Sequence, residues 1–185
     1  MLAYLNDHAL KSATLAEMAA HREADELVQG RYWDNGKGCA VGCLSHDPKG
    51  GHAALAKRLG IPLPLLHLED AIFERLPLAK ARLWPEQFLG AIAPGADLSR
   101  VSWQFLYWLL TDATVNPGIM HPLVRDAVAQ CAAVIDPLTR GETFDASAAW
   151  SAASAESAVW SAARSAESAA YELMAVKLLA LLVKA

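Results

Sequence analysis

Charge is scarce in this chain: only 19% of its 185 residues are Asp, Glu, Lys or Arg, against about a quarter in an ordinary soluble domain. Apolar residues reach 54%, a share raised by alanine, so another subunit or a partner is expected to cover part of that surface. No dense basic cluster occurs and the net charge is −4, which argues against nucleic-acid binding through the phosphate backbone. Long apolar runs are missing as well. The most hydrophobic stretch, residues 173–183, is about half a membrane span and contains Lys177, which argues against a membrane helix. The start, Met1-Leu2-Ala3-Tyr4, lacks the basic and apolar regions of a secretory signal. Cysteine is rare too: the odd count of three, without such a signal, predicts reduced thiols in a cytoplasmic protein.

Strand alternation is nearly absent and helical periodicity dominates, so the expected fold is all-α, a multi-helix bundle of about seven helices. A helical globular domain is expected over 1–141 and a long C-terminal helix over 142–185. Asn6 or Asp7 caps a first helix that runs to about Val28 and ends at Gly30. A glycine-bearing loop follows over 31–51, with Asn35-Gly36 and the Pro48-Lys49-Gly50-Gly51 run as turn signals. A short helix over 52–59 stops at Gly60. Pro62 and Pro64 open the next, with Leu65, Leu68, Ile72 and Leu76 as its apolar stripe, and Trp84-Pro85 opens another. From Leu98 to Leu110 the pattern is apolar nearly all round, as in a helix at the centre of a fold. Asn116-Pro117-Gly118 breaks it, and Pro122 starts a helix that carries Val124, Val128, Cys131 and Ile135 on one face.

Between 146 and 170, 19 of the 25 residues are alanine or serine. Ser147, Ser154, Ser161 and Ser168 recur at heptad spacing. On a helical wheel Trp150, Trp160, Tyr171, Met174, Leu178 and Leu182 share one face, with alanines such as Ala148, Ala155, Ala162 and Ala166 on the far side. Small residues let a second helix approach closely. An unbroken helix of about 60 Å would overhang a globule about 40 Å across. These features predict a homo-oligomer formed through the C-terminal helix.

Reactive residue types concentrate in residues 33–52. Three chemical readings compete there with a purely structural one, in which cysteines and small residues pack where loop meets helix. In the first, Cys39 is a nucleophile at a helix start whose dipole lowers its thiol pKa, His52 is its base, and Glu69 or Asp70 orients the base. In the second, Cys39, Cys43 and His46, at i, i+4 and i+7 on one helical face, bind zinc with His52 as fourth ligand. The spacing is not that of a standard zinc finger, so the default expectation is no cofactor. In the third, Trp33, Lys37 and Gly38 belong to a glycine-rich loop that holds a small molecule or anion, although no Walker pattern is present. His67, Asp70 and Glu74 share one helical side and read as a solvated face. Cys131, Trp103, Tyr107 and Trp108 read as core, and His21 as a packed or surface histidine.

The segment YWDNGKGCAVGC over 32–43, HAALAKRLGIP over 52–62, LEDAIF over 68–73 and the SAAW/SAAR tail together resemble a family of uncharacterised bacterial and phage proteins. That resemblance covers most of the chain and implies no known activity or site residue. The tail alone is similar to those of phage-associated and immunity-type proteins, which implies a binding or inhibitory role. The leading functional expectation is a non-enzymatic interaction protein, a phage or prophage accessory, inhibitor or immunity-type factor acting on a protein partner. The alternatives are a small-molecule or anion-binding module using the 36–43 loop and a cysteine hydrolase using Cys39 and His52.

Overall fold

The computed structural model describes residues 2–47, 51–116, 119, 122–142 and 168–185. They form an all-α, multi-helix fold, and the strands among the described residues are those of a single two-stranded hairpin. By packing, the chain divides into two compact units, Met1–Leu98 with Leu182–Ala185, and Ser99–Leu181; composition alone placed the division at 141/142. The Ala/Ser run lies outside the described residues except for 168–170, so the expected unbroken helix over 142–185 does too.

In the first unit, helix α1 (His8–Glu23) starts where Asp7 Oδ1 accepts the Ala9 and Leu10 N–H groups at 2.7 and 3.3 Å. It stops earlier than its periodicity predicts. Asp25 takes a left-handed φ of 58°, and the chain beyond turns extended. Gly38 N–H donates to the Glu26 carbonyl and Val28 N–H to the Gly38 carbonyl, at 3.0 and 2.9 Å. Gly38 belongs to the hairpin β1 (Trp33–Asp34) and β2 (Lys37–Gly38). Its turn residues Asn35 and Gly36 both have positive φ, 51° and 79°, the signature of a primed hairpin turn. The expected glycine-bearing loop therefore contains a hairpin, and the helix considered to start at Cys39 is the short α2 (Ala40–Ser45).

Helices α3 (His52–Leu59), α4 (Leu63–Phe73), α5 (Leu78–Ala81) and α6 (Trp84–Ala91) complete the unit. Gly60, at φ 64°, ends α3, and prolines stand in the first turns of α4 and α6. Met18, Leu59, Leu65, Phe73, Trp84 and Phe88 are among its fully buried side chains. The Trp84 indole N–H donates to the Glu69 carbonyl at 3.0 Å.

A left-handed turn precedes α1. Tyr4, Leu5 and Asn6 have φ of 51°, 53° and 60°, a conformation that costs about 1–2 kcal/mol per non-glycine residue. Tertiary contacts offset that strain. The Tyr4 ring is buried and its hydroxyl donates to the Leu89 carbonyl at 2.7 Å. Ala3 N–H donates to the Ala96 carbonyl at 3.0 Å, and Gly95 N–H donates back to the Ala3 carbonyl at 2.8 Å.

The second unit contains α7 (Val101–Thr111), α8 (Pro122–Thr139) and α9 (Ser168–Leu182) as far as Leu181. Helix α7 packs on α8. It buries Val101, Phe105, Leu106, Leu109 and Leu110, but leaves Trp103, Tyr107 and Trp108 half-exposed. It is therefore two-sided, and not the all-round core helix its composition predicts. Trp108 uses its indole N–H on Asp112 Oδ2 at 2.8 Å, with the Lys177 ammonium 5.6 Å from its ring centre.

Two glycines give a direct test of the packing. A Cβ at Gly42 would lie 1.5 Å from the Tyr32 carbonyl oxygen, whereas one at Gly90 meets nothing within 4 Å. Gly42→Ala is expected to destabilise the protein by at least about 2 kcal/mol, and Gly90→Ala to stabilise it by about 0.5–1 kcal/mol. Urea denaturation of the two variants beside the parent chain checks both signs.

Candidate functional site

The site begins at the close approach of α2 to the chain just before the hairpin. Gly38 and Gly42 both face the Tyr32 carbonyl, where a Cβ would fall within 2.1 and 1.5 Å of the oxygen. Absence of side chains at these two positions lets the α2 start settle against Tyr32. Cys39 caps α2, and its sulfur accepts the Gly42 N–H at 3.5 Å. The thiol is also 3.8 Å from the Tyr32 carbonyl and is 1% exposed.

Helices α3 and α4 supply the rest. The Tyr32 hydroxyl is hydrogen-bonded to His52 Nδ1 at the start of α3. His52 Nε2 faces Asp70 Oδ2 of α4 at 3.4 Å, and the His67 ring stacks on the His52 ring with centres 4.2 Å apart. Ligand atoms of Cys39, Asp70 and Glu74 all lie within 4.8 Å of one another. Glu74 accepts the Gly30 N–H at 2.6 Å. Asp70 and Glu74 are thus half-buried against this cluster instead of forming a solvated face. Asp70 lies on α4 and Glu74 one turn on, at its C-terminal cap, a spacing that puts them on one side without showing that the side is buried. The Tyr32 and Glu74 contributions depend on tertiary contacts that no local pattern announces.

Among the described residues, four buried polar atoms in this region have no hydrogen-bond partner: His52 Nε2, Asp70 Oδ1 and both carboxylate oxygens of Glu69. Glu69 lies on the inner side of α4, 3% exposed. It lines a cavity of about 10 Å³ with Met18, Leu55 and Phe88, room for a single water. Burial pushes its carboxyl well above the usual carboxylate range, and the nearby Asp70 and Glu74 add to that shift. Burial, then Asp70, likewise drives the Cys39 thiol upward. This reverses the expectation that a helix start lowers its pKa. Helix α2 has only six residues, and desolvation beside carboxylates outweighs its dipole. Of the two residues expected to orient His52, Asp70 faces the ring, whereas Glu69 lines the cavity.

The other expected site residues go elsewhere. Cys39 is the cap of α2 and His46, at φ 53°, its left-handed end, so the helical face meant to align Cys39, Cys43 and His46 is not continuous. Cys43 is fully buried, with its sulfur 3.6 Å from the Gly38 carbonyl, and burial pushes its thiol up to about 12. His46 stacks on Trp33 at 4.7 Å and converges with Glu17 and His21. Within that second group Glu17 pairs with Arg58 and His21 with Glu26, each at 2.5 Å. Lys37 donates to the Asp25 carbonyl at 3.2 Å. The N–H groups of Gly38 and Cys39 are engaged with the Glu26 and Arg31 carbonyls, which ties the 36–43 loop into its own fold.

A second candidate surface lies on α9. Tyr171, Met174, Leu178 and Leu182 are buried, as the helical wheel predicts. Opposite them Leu173 and Val176, with Val183 just past the helix, are 45%, 68% and 71% exposed, and Ala180 between them is exposed too. No helix among the described residues is long and apolar enough to cross a membrane.

Compared with protein-family models, curated proteins and solved structures, the chain matches none. Thiol reactivity gives a direct check on the site. Cys131 is half-buried while Cys39 and Cys43 are buried, so iodoacetamide is expected to modify Cys131 at least about tenfold faster than either in the folded protein. In denaturant the three rates should converge. Peptide mapping of a labelling time course reads the order, and Cys39 reacting first would contradict it.

Proposed function

We propose that the protein is a non-enzymatic interaction protein that self-associates through its C-terminal helix and acts by occluding the surface of a protein partner. The observation that carries this reading is the outward stripe of α9. Leu173, Val176, Ala180 and Val183 follow the alternating three- and four-residue spacing of a coiled-coil seam. In the sequence the same register continues backward through positions 148, 152, 155, 159, 162, 166 and 169, which hold only alanine or valine. A second copy of the same stripe fits that seam best, because alanine at seven of these eleven positions favours a closely approaching helix of equally small side chains. Each Leu or Val covered there contributes about 1.5–3 kcal/mol. The resemblance of the Ala/Ser tail to phage-associated and immunity-type proteins supports the partner-binding role, and three free cysteines suit a reduced, cytoplasmic setting.

The position of Asp70 near both Cys39 and His52 favours a second reading, a cysteine hydrolase. Two features weigh against it: the thiol is buried, and the group against it is a carboxylate that opposes thiolate formation. The first reading is tested by light scattering at micromolar concentration. The parent chain is expected to give a multiple of 19.8 kDa, and Val176→Glu, on an exposed site, to give the single-chain mass with unchanged helicity. A parent chain already at the single-chain mass would overturn the proposal.

A further inference from the structure

Three side chains that can ligate a soft or borderline metal ion converge where α2 meets α4. The Cys39 sulfur and carboxylate oxygens of Asp70 and Glu74 lie within 4.8 Å of one another. Ligands around a tetrahedral zinc ion stand about 3.5 Å apart, given bonds near 2.0 Å to oxygen and 2.3 Å to sulfur. Side-chain shifts of about 1 Å therefore bring the three into bonding position. An independent feature points to the same place. His52 is 9% exposed, and its Nε2 has no hydrogen-bond partner among the described residues. That nitrogen nevertheless faces Asp70 Oδ2 at 3.4 Å, the separation expected of two neighbours around a shared ion. Its other ring nitrogen is held by the Tyr32 hydroxyl, the outer-shell support that ligating histidines commonly have.

We infer that Cys39, Asp70 and Glu74, with His52 Nε2 beside the fourth position, form a binding site for one zinc-class divalent ion. Binding transfers the Cys39 thiol proton to solvent, leaving a thiolate bonded to the metal. The ion's two positive charges then offset the charge of the thiolate and of the carboxylates that crowd it. The ligand set mixes sulfur, nitrogen and oxygen, which suits zinc or cobalt and not calcium or magnesium. The site lies within the first unit and is independent of self-association through α9.

Cobalt(II) titration of the full chain after chelator treatment and dialysis tests the inference. One cobalt per chain is expected to bind saturably at micromolar concentration, with tetrahedral visible bands and a thiolate-to-cobalt charge-transfer band. Cys39→Ser should abolish the charge-transfer band, and Glu74→Gln should weaken binding by more than about tenfold. Cys43→Ser and His46→Ala should leave spectrum and affinity unchanged. The inference is overturned by absence of saturable binding, or by a band that survives Cys39→Ser and disappears in Cys43→Ser or His46→Ala. Should Cys39→Ser fail to fold by circular dichroism, the half-buried Glu74→Gln decides: parent-like affinity in that variant overturns the site.

Discussion

The Tyr32 carbonyl is the point against which β2 and the start of α2 are set. Gly38 and Gly42 lie against it from β2 and from α2, and that contact sets where the α2 start can be. From one residue, the backbone oxygen fixes the position of Cys39 and the side-chain hydroxyl holds His52. A methyl group at position 42 would displace α2 and with it the thiol, while His52 would stay with α3. The glycine pattern of residues 36–43 is thereby explained by backbone contact: Gly36 serves the turn, Gly38 and Gly42 the approach.

Helix α4 then separates two adjacent carboxylates by environment. Glu69 points into an apolar interior and Asp70 toward a thiol and two imidazoles. Successive helical positions are turned by about 100°, so one apolar stripe can carry a buried acid on its border while the next acid faces a polar cluster. Desolvation favours the neutral form of Glu69 and of Cys39 alike. At these two groups burial is the largest influence on the proton. The second candidate cluster, Glu17 with His21 and His46, differs in kind: Glu17 and His21 already have charged partners and its surroundings are more open.

Features encoded by local chemistry were legible in the sequence. The Asp7 cap, the Asn35-Gly36 turn, the Gly60 stop and the proline starts of α4 and α6 each depend on a few consecutive residues, and all occur where local rules place them. The buried face of α9 was legible for the same reason, since helical angle alone defines it. The early end of α1 was not, because Glu26 and Val28 are drawn into pairing with Gly38, more than a helix turn away in the chain. The candidate site shows the same division. Cys39, His52 and Asp70 stood out by residue type, but Tyr32 and Glu74 join them only through packing among three helices and the residues flanking the hairpin. Sequence spacing also suggested one face for Cys39 and His46, but Cys39 is the N-terminal cap of α2 and His46 its left-handed C-terminal end.

The left-handed turn at Tyr4 has a consequence for how the chain is made. Two of the hydrogen bonds that offset its strain come from partners made much later, Leu89 for the Tyr4 hydroxyl, 85 positions on, and Ala96 for the Ala3 amide. While the ribosome is still adding α2 to α5, those partners do not exist, and a strained turn without them has no reason to persist. The first unit can acquire helices as it emerges, but its N-terminal clasp must wait for synthesis to pass Ala96. Contacts of such sequence separation close late and slowly, which places the final locking of this unit after its helices, and not before them.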